Sequence, residues 1–244
     1  MSLMQDWQLI SGLNDGHGLK TGLALLRMLR LSPRKTKVSA SVLREIPIQV
    51  RHLFKEKFEE QEYGSTAGKY FDIVPHVIRA VSDAEKHGLL NTTSPCRILD
   101  LGTGFGYFPF VCRALGHFPF SVDWEVKSTY GFAREKLGIE TVQWEITPQN
   151  PLPALNQHFD LITAFQPTFF LYQFGQYGQP WSNELWDEFF FNIRDALELN
   201  GKFYLGANNM SWAKKNSTLA MWRHFRKKGG KRISDGWVFE KNSL

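Results

Sequence analysis

Residues 97–108 constrain this chain more than any other stretch. They read Arg97-Ile98-Leu99-Asp100-Leu101-Gly102-Thr103-Gly104-Phe105-Gly106-Tyr107-Phe108. A short apolar run over Cys96–Leu101 predicts a buried strand, and the aromatic and apolar residues up to Leu115 predict a helix that Gly116 stops. Three glycines at alternate positions between them let the backbone turn tightly and approach a ligand with no Cβ in the way. In a doubly wound sheet such a strand-to-helix turn is where ligands bind, beyond the carboxyl ends of the strands. A dinucleotide fingerprint, G-x-G-x-x-G, would need its last glycine at position 107, where Tyr107 stands. The pattern here is G-x-G-x-G.

The rest of the chain fits that context. Downstream, Phe118–Val122, Glu140–Glu145, Phe159–Phe165 and Lys202–Gly206 read as strands. They alternate with helical stretches over 127–137, over 185–197, where Leu185, Phe189, Ile193 and Leu197 repeat every four residues, and near 217–228. Asn200-Gly201 reads as a helix end and 165–181 as a loop. Alternation of this kind predicts a parallel sheet with helices on both faces. Lys231–Ser234, Asp235-Gly236 and Trp237–Glu240 form a run–DG–run pattern, so the chain is expected to end on an antiparallel hairpin.

Residues 1–92 read as a helical N-terminal cap, followed by a Rossmann-like domain over 93–244. In the cap, Leu19, Leu23, Leu26, Leu29 and Leu31 have nearly helical spacing, Ser39 and Ser41 are candidate N-caps, and Phe54 and Phe58 stand at i, i+4. After a Gly-Ser-Thr-Ala-Gly break at 64–68, a helix is expected over about 69–86 with Ile73, Val77 and Val81 on one face and a kink at Pro75, ended by Gly88. The expected fold class is therefore α/β: a three-layer, doubly wound, mostly parallel seven-stranded sheet with a C-terminal antiparallel hairpin, preceded by the helical cap.

Asp-Leu-Gly-Thr-Gly-x-Gly after a strand resembles the first motif of the class I S-adenosylmethionine-dependent methyltransferases. The resemblance extends over roughly 96–207. Asp123 lies at the end of the second strand, 21 residues beyond Gly102, close to the ~20 at which an acid meets a ribose in such folds. Phe159-Asp160-Leu161-Ile162 is similar to the family's fourth-strand start, the run Leu197–Gly206 to the leucine, turn and fifth strand that follow, and Lys231–Glu240 to its closing hairpin. The resemblance implies S-adenosyl-L-methionine as cofactor. Asp100, Gly102 and Gly104 would line its methionine part, Thr103, Phe105 and Gly106 of the same loop would also bind the cofactor, and Asp123, with Glu125 as competitor, would bind the ribose hydroxyls. Glu145 would meet the adenine, although the family's usual Asp is absent there and the amides around Ile146 and Thr147 are alternatives. Phe165, at the end of the fourth strand, would also bind the cofactor, and Tyr63, Lys69 and Tyr70 occupy the upstream segment that often folds over it.

For the acceptor, the segment 165–181 is informative. It holds seven aromatics, four glutamines and no charge. It lacks the Asn/Asp-Pro-Pro-Tyr/Phe signature of amino-methylating enzymes and the Pro-Cys nucleophile of the cytosine C5 type. An uncharged, aromatic, amide-rich segment suits a small flat or apolar acceptor held by stacking and hydrogen bonds, with Gln166, Tyr172, Tyr177 and Trp181 as its candidate contacts. No catalytic base stands out, and His158 precedes the fourth strand, at the wrong end for one.

Charge supplies the rival reading. The net +5 resolves into seven Lys/Arg and no acid over 16–44, eight and none over 211–234, and 13 basic against 20 acidic residues between. Arg34, Lys35 and Lys37 cluster, as do Arg226, Lys227, Lys228, Lys231 and Arg232, so an RNA methyltransferase is the alternative. A nicotinamide oxidoreductase and a non-catalytic binding module of the same fold are the other classes. With 43% hydrophobic and 22% charged residues the chain is globular. No apolar run is long enough for a membrane span, the first residues lack the pattern of a secretory signal, and Cys96 and Cys112 are not spaced as a metal or redox motif. A cytoplasmic protein without a metal is expected.

Overall fold

The computed structural model describes residues 32–60, 67–125, 129–165, 170–173, 176–206, 215–233 and 235–244, with the backbone alone over 170–173, 176–180 and 215–218. The Leu19–Leu31 periodicity, Tyr63 and Gln166 lie outside the described residues. The chain divides into two compact units, one drawn from 1–95, 105–117 and 127–139, the other from 96–104, 118–126 and 140–244. This cuts the chain differently from a linear 1–92 and 93–244 organisation, because the helices that follow the first two strands group with the N-terminal ones.

The first unit holds α1 (Pro33–Glu45), α2 (Ile48–Glu60), a 3-10 turn (Gly68–Phe71), α3 (Ile73–Lys86), α4 (Tyr107–Ala114) and α5 (Thr129–Lys136). Ser32 caps α1, its hydroxyl accepting from the Lys35 N–H, and Pro33 occupies the first turn. Ser39 and Ser41, the expected caps, lie inside α1, because the Ser-Pro start sets the helix going earlier. The helix expected over 69–86 is likewise two elements. A fresh start at Ile73 puts Pro75 in the first turn, where its missing N–H is not needed, so it caps a beginning and does not kink a middle. Ile73, Val77 and Val81 are buried as their spacing predicts. Gly88 closes the helix with the paired 2.9 Å bonds Gly88 N–H to Glu85 O and Leu89 N–H to Ala84 O.

The second unit holds β1 (Arg97–Leu101), β2 (Phe118–Asp123), β3 (Val142–Gln143), β4 (Phe159–Phe165), β5 (Phe170–Gln173), β6 (Gln176–Pro180), α6 (Asn183–Ala196), β7 (Leu197–Gly206), α7 (Lys215–Lys227), β8 (Lys231–Ile233) and β9 (Gly236–Glu240). Seven strands form one sheet in the order β3-β2-β1-β4-β7-β9-β8. The first five are parallel, β9 runs antiparallel to β7, and β8 pairs with β9. Near-continuous burial of Ile98 to Leu101 and of Leu161 to Ala164 is what central parallel strands require. Within this unit Phe189, Phe190 and Ile193 of α6 and Met221 and Phe225 of α7 join Phe159, Ile162, Phe203, Trp237 and Phe239 in one core. Each such side chain contributes roughly 1.5–3 kcal/mol on burial.

Four expected boundaries change, the first being that α6 stops at Ala196 and residues 197–201, expected to finish the helix, open β7. The third strand pairs only through Val142 and Gln143, both exposed at the sheet edge, and Trp144 then turns inward, its indole N–H donating to the Pro151 carbonyl at 2.9 Å. The expected loop over 165–181 contains an antiparallel pair, β5 with β6, built from strand-favouring Phe, Tyr and Leu. Gly236 is the first residue of β9 and not part of the turn. A Cβ on it would sit 2.5 Å from the Leu205 carbonyl oxygen and 2.8 Å from the Tyr204 ring, so close packing is what selects glycine there.

Candidate functional site

The expected cofactor residues of the second unit gather along the carboxyl edge of its sheet. Asp100, near the end of β1, is in register with Thr163 of β4, and Asp123, the last residue of β2, with Gln143 of β3. Phe165 ends β4 in register with Gly206, its ring 5.0 Å from that of Tyr204. Backbone geometry explains the glycines between them: Gly102, Gly104 and Gly106 all have positive φ, at 67°, 58° and 82°, a region a side chain with Cβ enters only at a cost.

The start of this loop is tied to β2. The N–H groups of Gly102 and Thr103 both donate to the Val122 carbonyl, at 2.9 and 3.3 Å, and the Gly104 N–H donates to Asp123 Oδ2 at 2.9 Å. Asp123 Oδ1 accepts from the Glu125 N–H at 3.1 Å. Asp123 is therefore the acid that faces the loop, and Glu125 serves it through its backbone. Three successive loop amides are engaged inside the protein, unlike the donor-rich cradles that hold a pyrophosphate.

Asp100 is a different kind of acid. Only 3% exposed, it accepts from the Thr163 hydroxyl at Oδ1 and from the Thr103 hydroxyl at Oδ2, each at 2.7 Å. This bracing couples the β1 end to β4 and to the loop, so Asp100 orders the glycine turn rather than presenting a carboxylate at its surface. Thr163 was not singled out by sequence reasoning. The signal for it was a lone hydroxyl inside the apolar strand Phe159–Phe165.

Glu145 lies beyond β3 and is exposed, its carbonyl accepting from Asn150 Nδ2 at 2.9 Å. Trp124, directly after Asp123, is 64% exposed, and sequence reasoning passed over it. Trp181 is 5% exposed and packs on Trp186 and Phe189 with ring centroids 4.8 and 5.4 Å away, so its ring is part of the core of the second unit. The reason is its position: it leads directly into Ser182, which caps α6, and the apolar face of that helix draws it in. Tyr172 and Tyr177 are cross-strand partners in the β5–β6 pair.

In the first unit, the residues after Gly104 make an aromatic nest. Phe105 is 3% exposed, with ring centroids 5.0 Å from Phe71, 5.2 Å from Tyr130 and 5.3 Å from Tyr70. Its ring is thus part of the core of that unit. Tyr107, where a dinucleotide loop would have glycine, stacks on His76 at 5.4 Å and donates its hydroxyl to the Tyr70 carbonyl at 2.7 Å. Burial pushes its phenol pKa well above the ordinary value, so it stays a donor. His76 donates from Nε2 to the Lys69 carbonyl at 3.1 Å, and burial lowers its pKa to about 4. Gly106 starts α4, and a Cβ on it would come within 3.1 Å of Arg134 Cγ.

The fold is Rossmann-like. Its seven strands, five parallel and then an antiparallel hairpin, are the arrangement that the resemblance to class I methyltransferases implies. No protein-family model matches the chain, and no curated protein matches it in sequence. Solved structures to which it is similar include a glycopeptide N-methyltransferase complexed with S-adenosyl-L-methionine, at 17% identity and TM-score 0.38, over 55% of this chain and 57% of that one. An amino pentose methyltransferase from Micromonospora echinaspora has 12% identity and TM-score 0.42, over 67% and 58%. A ribosomal protein methylase from Lactobacillus delbrueckii subsp. bulgaricus has 14% identity and TM-score 0.40, over 73% and 79%. The chain thus spans just over half the length of the first of these. Among the described residues, no helix is long and apolar enough to cross a membrane.

Proposed function

We propose that this chain is an S-adenosylmethionine-dependent methyltransferase that passes a methyl group to a small aromatic or apolar acceptor by direct in-line displacement. The observation that carries this reading is the pairing of Asp123 with the Gly104 amide, together with the engagement of the Gly102 and Thr103 amides by Val122. A loop whose first three amides are already bonded has little to offer a pyrophosphate, while a carboxylate at its edge suits a ligand with hydroxyls and positive charge. This favours S-adenosylmethionine over a nicotinamide dinucleotide.

Asp123 would hold the ribose hydroxyls, and Gly102 and Gly104 would give the backbone its close approach. The cofactor's sulfonium carries an already reactive methyl group, so the protein's tasks are alignment and exclusion of water. No side chain needs to be a strong base for that. The uncharged 165–181 segment supports an apolar acceptor, although Trp181 belongs to the core. The two cysteines, present as thiols, fit a reducing, cytoplasmic setting. Titration calorimetry tests the reading: saturable binding of S-adenosylmethionine and none of NAD is expected. Binding of NAD alone would overturn it, and binding of neither would make the chain a non-catalytic module.

A nucleic-acid acceptor is the second reading. What favours it is the set of exposed cations on α7.

A further inference from the structure

The two basic flanks of the sequence come to different ends. In the N-terminal one, Arg34 donates to the Leu90 carbonyl at 2.6 Å and Lys35 pairs with Glu85 at 2.6 Å, so both cations serve the fold. In the C-terminal one, α7 sorts its side chains by face. Met221 and Phe225 are buried in the core of the second unit. His224 and Lys228 turn to Asp187, at 2.7 and 2.9 Å. Arg223, Arg226 and Lys227 are exposed and have no ion-pair partner among the described residues.

Those three stand at i, i+3 and i+4, so they share one helix face with Cβ atoms roughly 5–6 Å apart. Like charges at that spacing destabilise a helix by a few tenths of a kcal/mol per pair, and no acid occurs over 211–234 to offset them. Elsewhere the chain places acids beside its cations, as in Lys55–Glu59, Lys57–Glu60, Arg79–Asp83 and Lys136–Glu135. Next to the α7 face, the exposed Arg232 of β8 lays its guanidinium 4.3 Å from the ring centroid of half-buried Trp222. A delocalised cation on an exposed residue is thus backed by an indole.

We propose that this face, Arg223, Arg226, Lys227 and the Arg232–Trp222 stack, is a docking surface for single-stranded RNA. Three cations on a regular helical spacing match a run of phosphates, and the guanidinium plane takes an unstacked base. An acidic peptide has no use for the stacked plane. A membrane surface would ask for a broad apolar stripe, and of the large apolar side chains of α7 Met221 and Phe225 are buried in the core and Trp222 is half-buried, leaving Leu219 alone exposed among the described residues. The surface goes beyond methyl transfer, since it needs neither the cofactor nor the glycine loop.

The test is fluorescence anisotropy of a labelled 15-nucleotide single-stranded RNA of mixed sequence with the full chain, without S-adenosylmethionine, over a salt series. Each phosphate neutralised on a single strand contributes about −0.7 to the slope of log affinity against log salt, so three contacts contribute about −2. R223Q/R226Q/K227Q is expected to weaken binding more than about tenfold at low salt and to remove that part of the slope. K37Q/K55Q/K57Q, which removes the same charge from the N-terminal helices, is expected to bind as the parent does. R232K, which keeps the charge and loses the plane, is expected to weaken binding about three- to tenfold with the slope unchanged. Equal loss in both triple variants, no RNA binding by the parent, or binding of phosphatidylserine vesicles in place of RNA would each overturn the proposal. Any of these leaves the calorimetric result for S-adenosylmethionine untouched, so the two readings fail separately.

Discussion

Tyr107 Oη donates to the Tyr70 carbonyl oxygen at 2.7 Å, which ties the first turn of α4 to the 3-10 turn at Gly68–Phe71 within the first unit. The phenol is buried and cannot be replaced by water without cost. Tyr107→Phe keeps the ring against His76 and removes the donor to a part-buried carbonyl, so a loss of ~0.5–1.5 kcal/mol is expected. Urea denaturation measures it: an unchanged midpoint would show that the hydroxyl does not hold the turn.

Asp123 has two jobs in the proposed site, since its oxygens hold the Gly104 and Glu125 amides while facing the loop. Asp123→Ala is expected to weaken S-adenosylmethionine binding by at least about tenfold and to cost ~1–3 kcal/mol of stability from the two freed donors. Asp123→Asn keeps one oxygen as acceptor and turns an NH2 group toward the other backbone N–H, so it should recover at most half of that stability and little of the affinity. Gly104→Val forces a β-branched residue to a φ of +58°, so it should weaken binding by distorting the loop. Calorimetry for affinity and circular dichroism for the fold separate these effects, and full-strength binding by Asp123→Ala would remove Asp123 from the site.

The Asp100–Thr163 bond makes a prediction of the opposite kind, about order and not contact. Thr163→Val removes a hydroxyl donor from a carboxylate that is almost fully buried, and a loss of ~2–3 kcal/mol is expected. The double variant with Asp100→Asn removes the buried charge too and should be less destabilised than the two single costs added together. Additive costs in thermal denaturation would mean that the two side chains are not coupled.

The glycine loop was legible because its constraint is local. Alternate glycines after an apolar run require positive φ, and Gly102, Gly104 and Gly106 all have it. The sheet was legible from the alternation of apolar runs with helical repeats, down to the closing hairpin. What escaped depended on neighbours distant in sequence. Thr163 matters because register puts it opposite Asp100, and Gly236 because Leu205 and Tyr204 fill the space where its Cβ would be. Trp181 stands in an uncharged, aromatic, amide-rich segment, and nothing local to it says that its ring packs with Trp186 and Phe189. Charge patterning located the basic flanks but could not say that Arg34 and Lys35 are used by the fold while Arg223, Arg226 and Lys227 are not.

His76 predicts how the first unit responds to acid. Burial lowers its pKa from 6.5 to about 4, with Arg79 and Lys69 adding to the shift and the bond to the Lys69 carbonyl opposing it. In the unfolded chain the imidazole titrates near its ordinary value, so between about 6.5 and 4 the unfolded state binds more protons than the folded one. Stability is then fully present above about pH 6.5 and falls as the pH drops toward 4, by up to ~3 kcal/mol for this one group. His76→Phe keeps an aromatic ring against Tyr107 and Tyr70 and removes the titration. Urea midpoints at pH 7.5 and pH 5 are expected to lie closer together in the variant than in the parent. Groups common to both proteins cancel in that comparison, so equal separation of the midpoints would show that His76 does not carry the dependence.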